Sequence, residues 1–309
     1  MHAKIQSLNV SETKGVRKTP VDKIELVNDF GIKDDAHAGK WHRQVSLLAV
    51  ESIKKMADQG LDVKSGDFAE NITTEGINLV DCNLGDIITV NGIELVISQL
   101  GKTCHQRCAI FYQAGDCVMP REGIFAVVSG NGEIKTGDDV KYAKKDGFSV
   151  AVITMSDKGS KGERVDETGP AVIKMLDENL KVAFTRTEIL ADNQDELEKS
   201  LKYYADIQKV DLVITNGSTG VSPRDIAPDA TLNVIDKRMP GFEEAMRAES
   251  LKITDRAMIS RAIVGARGKT MIVNVPGSPK GATENLNVIL KTIPHCIEKL
   301  QGSTVDCAR

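Results

Sequence analysis

Short apolar runs punctuated by Gly, Asp and Asn fill the first half of the chain: DFAENITTEGI, NLGDIITVNGIELVISQLG and GIFAVVSGNGEIKTGDDVKY. Such runs between turn residues read as short strands, and their spacing predicts a β-rich sandwich or barrel. Asn91-Gly92, between Ile87–Val90 and Ile93–Ile97, predicts a tight hairpin, because a type I′ turn needs positive φ at both central residues. Asn131-Gly132 predicts a second one. Val45–Gln59 is the clearest helical stretch of this half, with Leu48, Ile53 and Met56 apolar and Gly60 as a stop.

The rhythm changes near Lys141–Gly147, which predicts two domains, residues 1–144 and 145–309. Beyond it, continuous apolar runs at Val150–Thr154, Leu212–Thr215 and Met271–Val275 alternate with helical patterns. Pro170 suits a first helical turn, and Asn193 with Glu196 forms a capping box ahead of Leu197, Leu201 and Tyr204. This βαβ order predicts an α/β domain with a mostly parallel sheet and helices on both faces.

Composition narrows the class. At 309 residues, 41% hydrophobic and 27% charged, the chain fits a soluble protein of about two domains. A net charge of -4 argues against a nucleic-acid binder, and no run is long enough to span a membrane. The first residues lack the apolar core of a signal peptide, so a cytoplasmic protein is expected. Six cysteines do not make a disulfide scaffold in that compartment. Cys104 and Cys108 lack the second ligand pair that a structural zinc site needs.

Candidate chemistry in the second half sits at strand ends. SDKGSKGE, NGSTG and PGSPKG each follow an apolar strand, and the carboxyl ends of parallel strands share one sheet edge. Convergence of three Gly-containing loops there predicts an anion or nucleotide site. No P-loop is present: GARGKT has Ile263 where the first Gly is required, and it precedes a strand. Asp225, after the Gly-rich loop, and Asp192, at a strand-to-helix junction, are the carboxylates suited to Mg²⁺ and phosphoryl or nucleotidyl transfer. A helix N-cap would explain Asp192 equally well, and a salt bridge with Arg224 or with a neighbouring helix terminus would explain Asp225.

SDKGSKGERVDETGP, NGSTGVSPRDIAPDAT, MPGFEEAMRAESL, AMISRAIVGARG and VNVPGSPKGATENL, in this order, closely resemble the MogA/MoaB family of molybdopterin adenylyltransferases over about residues 148–300. The resemblance implies a molybdopterin-binding α/β fold, often trimeric. It implies transfer of AMP from ATP to molybdopterin with Mg²⁺, releasing pyrophosphate. It implies catalytic roles for Asp192 and Asp225, with Asp225 the metal ligand, and ligand binding by Ser156, Asp157, Gly217, Ser218, Thr219, Gly220, Ser222, Glu244, Arg247, Pro276, Gly277 and Ser278. Two positions depart from the family: Ser218 replaces its second glycine, and Ala227 replaces a Thr before Pro.

In the first half, Lys40 and Arg43 offer an anion site, and Lys102, His105 and Arg107 would favour a thiolate at Cys104. An inert buried cysteine is the plain alternative. DAHAG, HRQVSLL, GDFAENITTEGI, LGDIITV, GKTCHQRC and GIFAVVSGNGEIKTGDDV together resemble the MOSC domain, the molybdenum cofactor sulfurase C-terminal family, over about residues 4–142. This implies a β-barrel that binds molybdenum cofactor or carries sulfur on Cys104, with His37, Arg43 and Asn71 as cofactor-binding residues. No pyridoxal phosphate site is evident, so sulfur would come from a donor partner.

The combined expectation is a protein of molybdenum cofactor biosynthesis. Its second half adenylylates molybdopterin, and its MOSC half binds, sulfurates or hands on the cofactor to a molybdenum-insertion protein. The competing reading is a non-catalytic cofactor carrier.

Overall fold

The protein is described by a computed structural model covering residues 3–102, 112 and 117–304. It divides into two compact units, Met1–Lys145 and Asp146–Arg309.

The first unit contains β1 (Ala3–Val10), β2 (Thr19–Val21), β3 (Lys23–Val27), β4 (Gly31–Ile32), β5 (Val45–Ala49), β6 (Ile72–Glu75), β7 (Ile87–Val90), β8 (Ile93–Leu100), β9 (Ile124–Ser129), β10 (Gly132–Lys135) and β11 (Asp139–Ala143). Strands run in the order β11-β7-β8-β9-β5-β6-β1, and pairing of β11 with β1 closes them into a seven-strand barrel. Closure leaves no free edge in the ring. Of these pairings only β5 with β6 is parallel.

The expected Asn91-Gly92 hairpin forms, with φ of 51° and 81°. Two other expectations fail for physical reasons. Val45–Gln59 is not one helix: Val45–Ala49 is a barrel strand, and the helix α1 spans only Val50–Asp58. Every residue of β5 is buried, so the strand lacks the polar alternation that would distinguish it from a buried helix. Asn131-Gly132 does not make a hairpin. Asn28 N–H donates to Asn131 Oδ1 at 2.9 Å and Gly130 N–H to Asn28 Oδ1 at 2.9 Å, so the chain is turned toward β3, which pairs with β10.

The second unit is built on β12 (Phe148–Met155), β13 (Val182–Leu190), β14 (Leu212–Asn216), β15 (Lys237–Arg238), β16 (Val264–Arg267) and β17 (Thr270–Val275), ordered β13-β12-β14-β17-β16-β15. The first four are mutually parallel, while β16 and β15 run antiparallel at one edge. The sheet is therefore mixed, a parallel four-strand body with a two-strand antiparallel edge that the expectation of a mostly parallel sheet did not include. The short β16–β17 turn at Gly268 (φ 55°) leaves no room for a crossover helix.

Helices α2 (Thr168–Asn179), α3 (Gln194–Lys202), α4 (Ala227–Val234), α5 (Pro240–Leu251), α6 (Pro279–Ile289) and α7 (Ile293–Leu300) cover this sheet. Val150, Val152, Leu212, Ile214, Val273 and Val275 bury one face against α2, α5, α6 and α7. Alternate residues Ala151, Ile153, Val213 and Ile272 are also buried, as a sheet covered on both faces requires. Asn193 caps α3 by accepting the Glu196 N–H at 3.1 Å, as its spacing predicts.

Candidate functional site

The chain leaves β12 to lay β13 on one side and returns to lay β14 on the other. The loops after β12 and β14 therefore flank a topological switch point, where α/β sheets bind ligands. Gly217 has φ 98°, and a Cβ there would meet Met155 O at 2.8 Å. A Cβ on Gly277 would meet Gly217 Cα at 3.0 Å. These two glycines let the second and third loops touch through their backbones.

Ser218 holds the Gly-rich loop in shape. It has φ 57°; its hydroxyl donates to Arg224 O at 3.0 Å and accepts the Ile226 N–H at 2.9 Å. Arg261 secures the same loop from below. Its Nε donates to Gly220 O at 2.7 Å and its Nη2 to Asp225 O at 2.5 Å, while Asp229 pairs with the guanidinium at 2.9 Å. With its carbonyls and hydroxyl engaged, the loop presents N–H groups. Among the described residues, the N–H groups of Ser218, Thr219, Gly220, Gly277 and Ser278 donate to no protein acceptor. Successive unpaired N–H groups form an anion-binding concavity.

Three carboxylates border these loops. Asp157 Oδ1 accepts the Asp192 N–H at 2.9 Å, and Asp225 Oδ2 accepts the Ser222 N–H at 2.8 Å. Arg224 bridges Asp157 and Asp192, at 3.4 Å from the latter. Because Asn193 is the cap of α3, capping does not account for Asp192; and Arg224 pairs elsewhere, so it does not account for Asp225. Burial, and after it the nearby Asp225 charge, push the Asp192 carboxyl up, against the opposing influence of the neighbouring Ser218 hydroxyl. Arg224 is two-thirds exposed and does not reverse that direction.

A cavity of about 290 Å³ adjoins the loops, lined by Thr219, Gly220, Arg247, Pro276, Ser278 and Asn285 among others. Ser156 caps the turn that follows β12 by accepting the Gly159 N–H at 3.0 Å. Glu244 is exposed and does not line the cavity. Its neighbour Glu243 is the buried acid, paired with Arg238 at 2.8 Å.

The first unit has its own cavity, about 300 Å³, which brings together His37, Arg43 and Asn71. Asn71 is saturated: it donates to Asn9 O at 3.2 Å and Asp35 at 3.1 Å, and accepts from Ser46. Asp35 and Lys18 form a fully buried pair at 2.5 Å. Burial pushes Lys18 down, while the His37 and Lys18 hydrogen bonds together overcome burial to hold Asp35 well below the usual carboxylate range. Lys40 is exposed and lies off this cavity, and Cys104 falls outside the described residues.

Residues 151–295 match the family described as a probable molybdopterin binding domain, and residues 34–141 match the MOSC domain. A molybdopterin adenylyltransferase of Helicobacter pylori J99 is 41% identical over 155 residues, covering 50% of this chain and 88% of that protein. The chain belongs to the MogA/MoaB family. The molybdopterin adenylyltransferase of Escherichia coli K12 is 36% identical over 172 residues, covering 52% of this chain and 88% of that protein. A solved structure of the molybdopterin biosynthesis enzyme MoaB from Thermus thermophilus shares 41% identity, covering 50% of this chain and 98% of that one, with a TM-score of 0.47.

Within this MogA/MoaB unit, the structure gathers Ser156, Asp157, Asp192, the 217–220 loop, Ser222, Asp225 and 276–278 around one sheet edge. Sequence reasoning missed Arg261, although AMISRAIVGARG carried it, because an arginine that binds carbonyls has no periodic signature. In the MOSC unit it missed the Lys18–Asp35 pair, whose members are far apart in the sequence.

Proposed function

We propose that the MogA/MoaB unit transfers the AMP moiety of ATP to molybdopterin. The observation that carries this reading is the run of unpaired N–H groups at 218–220 and 277–278, set beside Asp192 and Asp225. In this reading those N–H groups hold phosphate oxygens, and their fixed orientation stabilises charge developing on the transferred group. An oxygen of the pterin's terminal phosphate attacks the α-phosphorus of ATP. The new P–O bond forms as the α–β bridge breaks, and pyrophosphate leaves with the bridging electron pair.

No group of three or more His, Cys, Asp or Glu able to hold a metal exists among the described residues. The donors nevertheless suit Mg²⁺, a hard cation commonly held by one or two carboxylates plus substrate phosphates. Asp225, with Asp192, would hold it there, where it would neutralise triphosphate charge. Arg224, already drawn to Asp157 and Asp192, neutralises the same cluster from its exposed side.

The MOSC unit, in this proposal, binds the molybdenum cofactor or hands it on, with a sulfur donor and a molybdenum-insertion protein as partners. A homotrimer follows the family pattern. Among the described residues no helix is long and apolar enough to cross a membrane. The test is pyrophosphate release from ATP in the presence of molybdopterin and Mg²⁺. Asp225→Ala should abolish release while pterin binding persists; release undiminished in that variant would refute the assignment.

A further inference from the structure

Behind the three strand-end loops of the second unit lies a set of polar side chains that the adenylylation reading does not use. Asp166, just ahead of α2, accepts the Thr168 and Gly169 N–H groups on Oδ1 at 2.9 and 3.0 Å and the Thr154 hydroxyl on Oδ2 at 2.6 Å. A Cβ on Gly169 would collide with that carboxylate, so the glycine makes room for it. Thr154, near the end of β12, accepts the Asn216 side-chain amide at 3.0 Å, and Asn216 is the last residue of β14. The start of α2 is thereby tied to the roots of the first two loops.

Thr168 carries this brace to the third loop. Its hydroxyl donates to Gly277 O at 2.9 Å, and among the described residues no other donor reaches that carbonyl. Thr168 is buried, so water is not at hand to replace the bond. The consequence lies on the far side of the peptide. The C=O and N–H of a planar trans peptide point in opposite directions. Gly277 O shares its peptide with the Ser278 N–H, so holding the oxygen against α2 turns that N–H the other way. Ser278 lines the cavity, and its N–H is one of the unpaired donors there. Gly277 has no side chain to restrain the peptide plane, so the hydroxyl is what fixes it.

We propose that Thr168 is a positioning residue for adenylyl transfer: through Gly277 O it aims the Ser278 N–H at a phosphate oxygen of the substrate, with Asp166 bracing Thr168. A donor fixed in advance needs no reorganisation as charge develops on that oxygen. The part played in turnover rests on the adenylylation reading, whereas the aiming of an anion donor does not.

The full chain is compared with three variants. Thr168→Val keeps the shape and loses the hydroxyl, and Thr168→Ser keeps the hydroxyl. Thr270→Val is the structural control, because Thr270 is also buried and its hydroxyl donates to Val210 O at 2.6 Å, at the opposite end of β17 from the third loop. Two quantities are read: kcat/KM for pyrophosphate release from ATP with molybdopterin and Mg²⁺, and calorimetric binding of inorganic pyrophosphate with Mg²⁺. Thr168→Val should lose about 10–100-fold in kcat/KM and about 3–10-fold in pyrophosphate affinity. Thr168→Ser should stay near the unmodified chain in both. Thr270→Val should do the same, although its unfolding midpoint falls as that of Thr168→Val does.

Unimpaired turnover and pyrophosphate binding in Thr168→Val overturn the proposal. So do equal losses in Thr168→Ser or in Thr270→Val, and so does an unmodified chain that binds no pyrophosphate. A chain that binds pyrophosphate but releases none from ATP refutes the adenylylation reading alone. The pyrophosphate affinities of the three variants then still decide whether Thr168 aims the Ser278 N–H.

Discussion

Ser218 tests the account of the Gly-rich loop through two opposing effects. Its φ of 57° is left-handed, which costs an L-residue about 1–2 kcal/mol. Its hydroxyl makes two partly exposed hydrogen bonds, each contributing about 0.5–1.5 kcal/mol. Ser218→Ala loses both bonds and keeps the strain, so the second unit should lose about 1–2 kcal/mol, the lower part of that range because the bonds are not fully buried. Ser218→Gly loses the same bonds but relieves the strain, while its unfolded chain gains about 0.5–1 kcal/mol of backbone entropy. The Gly variant should therefore be the more stable of the two by about 0.5–1 kcal/mol. Urea unfolding followed by far-UV circular dichroism reads the helix-rich second unit, and Trp41 fluorescence follows the first unit separately. An Ala variant equal to or more stable than the Gly variant would refute the reasoning.

Two further outcomes follow. Asp35→Ala should destabilise the first unit by about 3–5 kcal/mol, because it strands the Lys18 ammonium in a buried site; this is read by urea unfolding on Trp41 fluorescence, and a loss under about 1 kcal/mol would contradict the buried pair. Asp192 has a folded carboxyl pKa raised above its ordinary 3.8, so the native state holds its proton longer, and stability falls as pH rises from 3.8 through the folded value. Asp192→Asn should therefore gain stability over the unmodified chain at neutral pH and lose that advantage below pH 3.8; a variant less stable at neutral pH would contradict the direction.

The sequence made local features visible and long-range ones obscure. The Asn91-Gly92 hairpin, the Asn193 cap and the strand-end loops were legible because turn chemistry and capping depend on neighbours a few residues apart. The helix–strand error at Val45–Ala49 arose where burial on both sides erased alternation. The mixed edge of the second sheet was hidden because β16 is only four residues long and joins β17 through the short polar turn Gly268-Lys269.

At the site, the loops and Asp225 were legible from their motifs. The unpaired N–H groups were not, since they depend on Ser218 and Arg261 occupying the loop's other polar atoms. Glu244 shows the converse limit. Adjacent helix positions point about 100° apart, and only the structure shows that Glu243 is the one turned inward.

The most direct test is a product assay. The full chain is incubated with ATP, molybdopterin and Mg²⁺, and adenylylated pterin and pyrophosphate are quantified together by mass spectrometry. The account predicts that both form in equal amounts and only when all three components are present. Saturable pterin binding without any adenylylated product would contradict it.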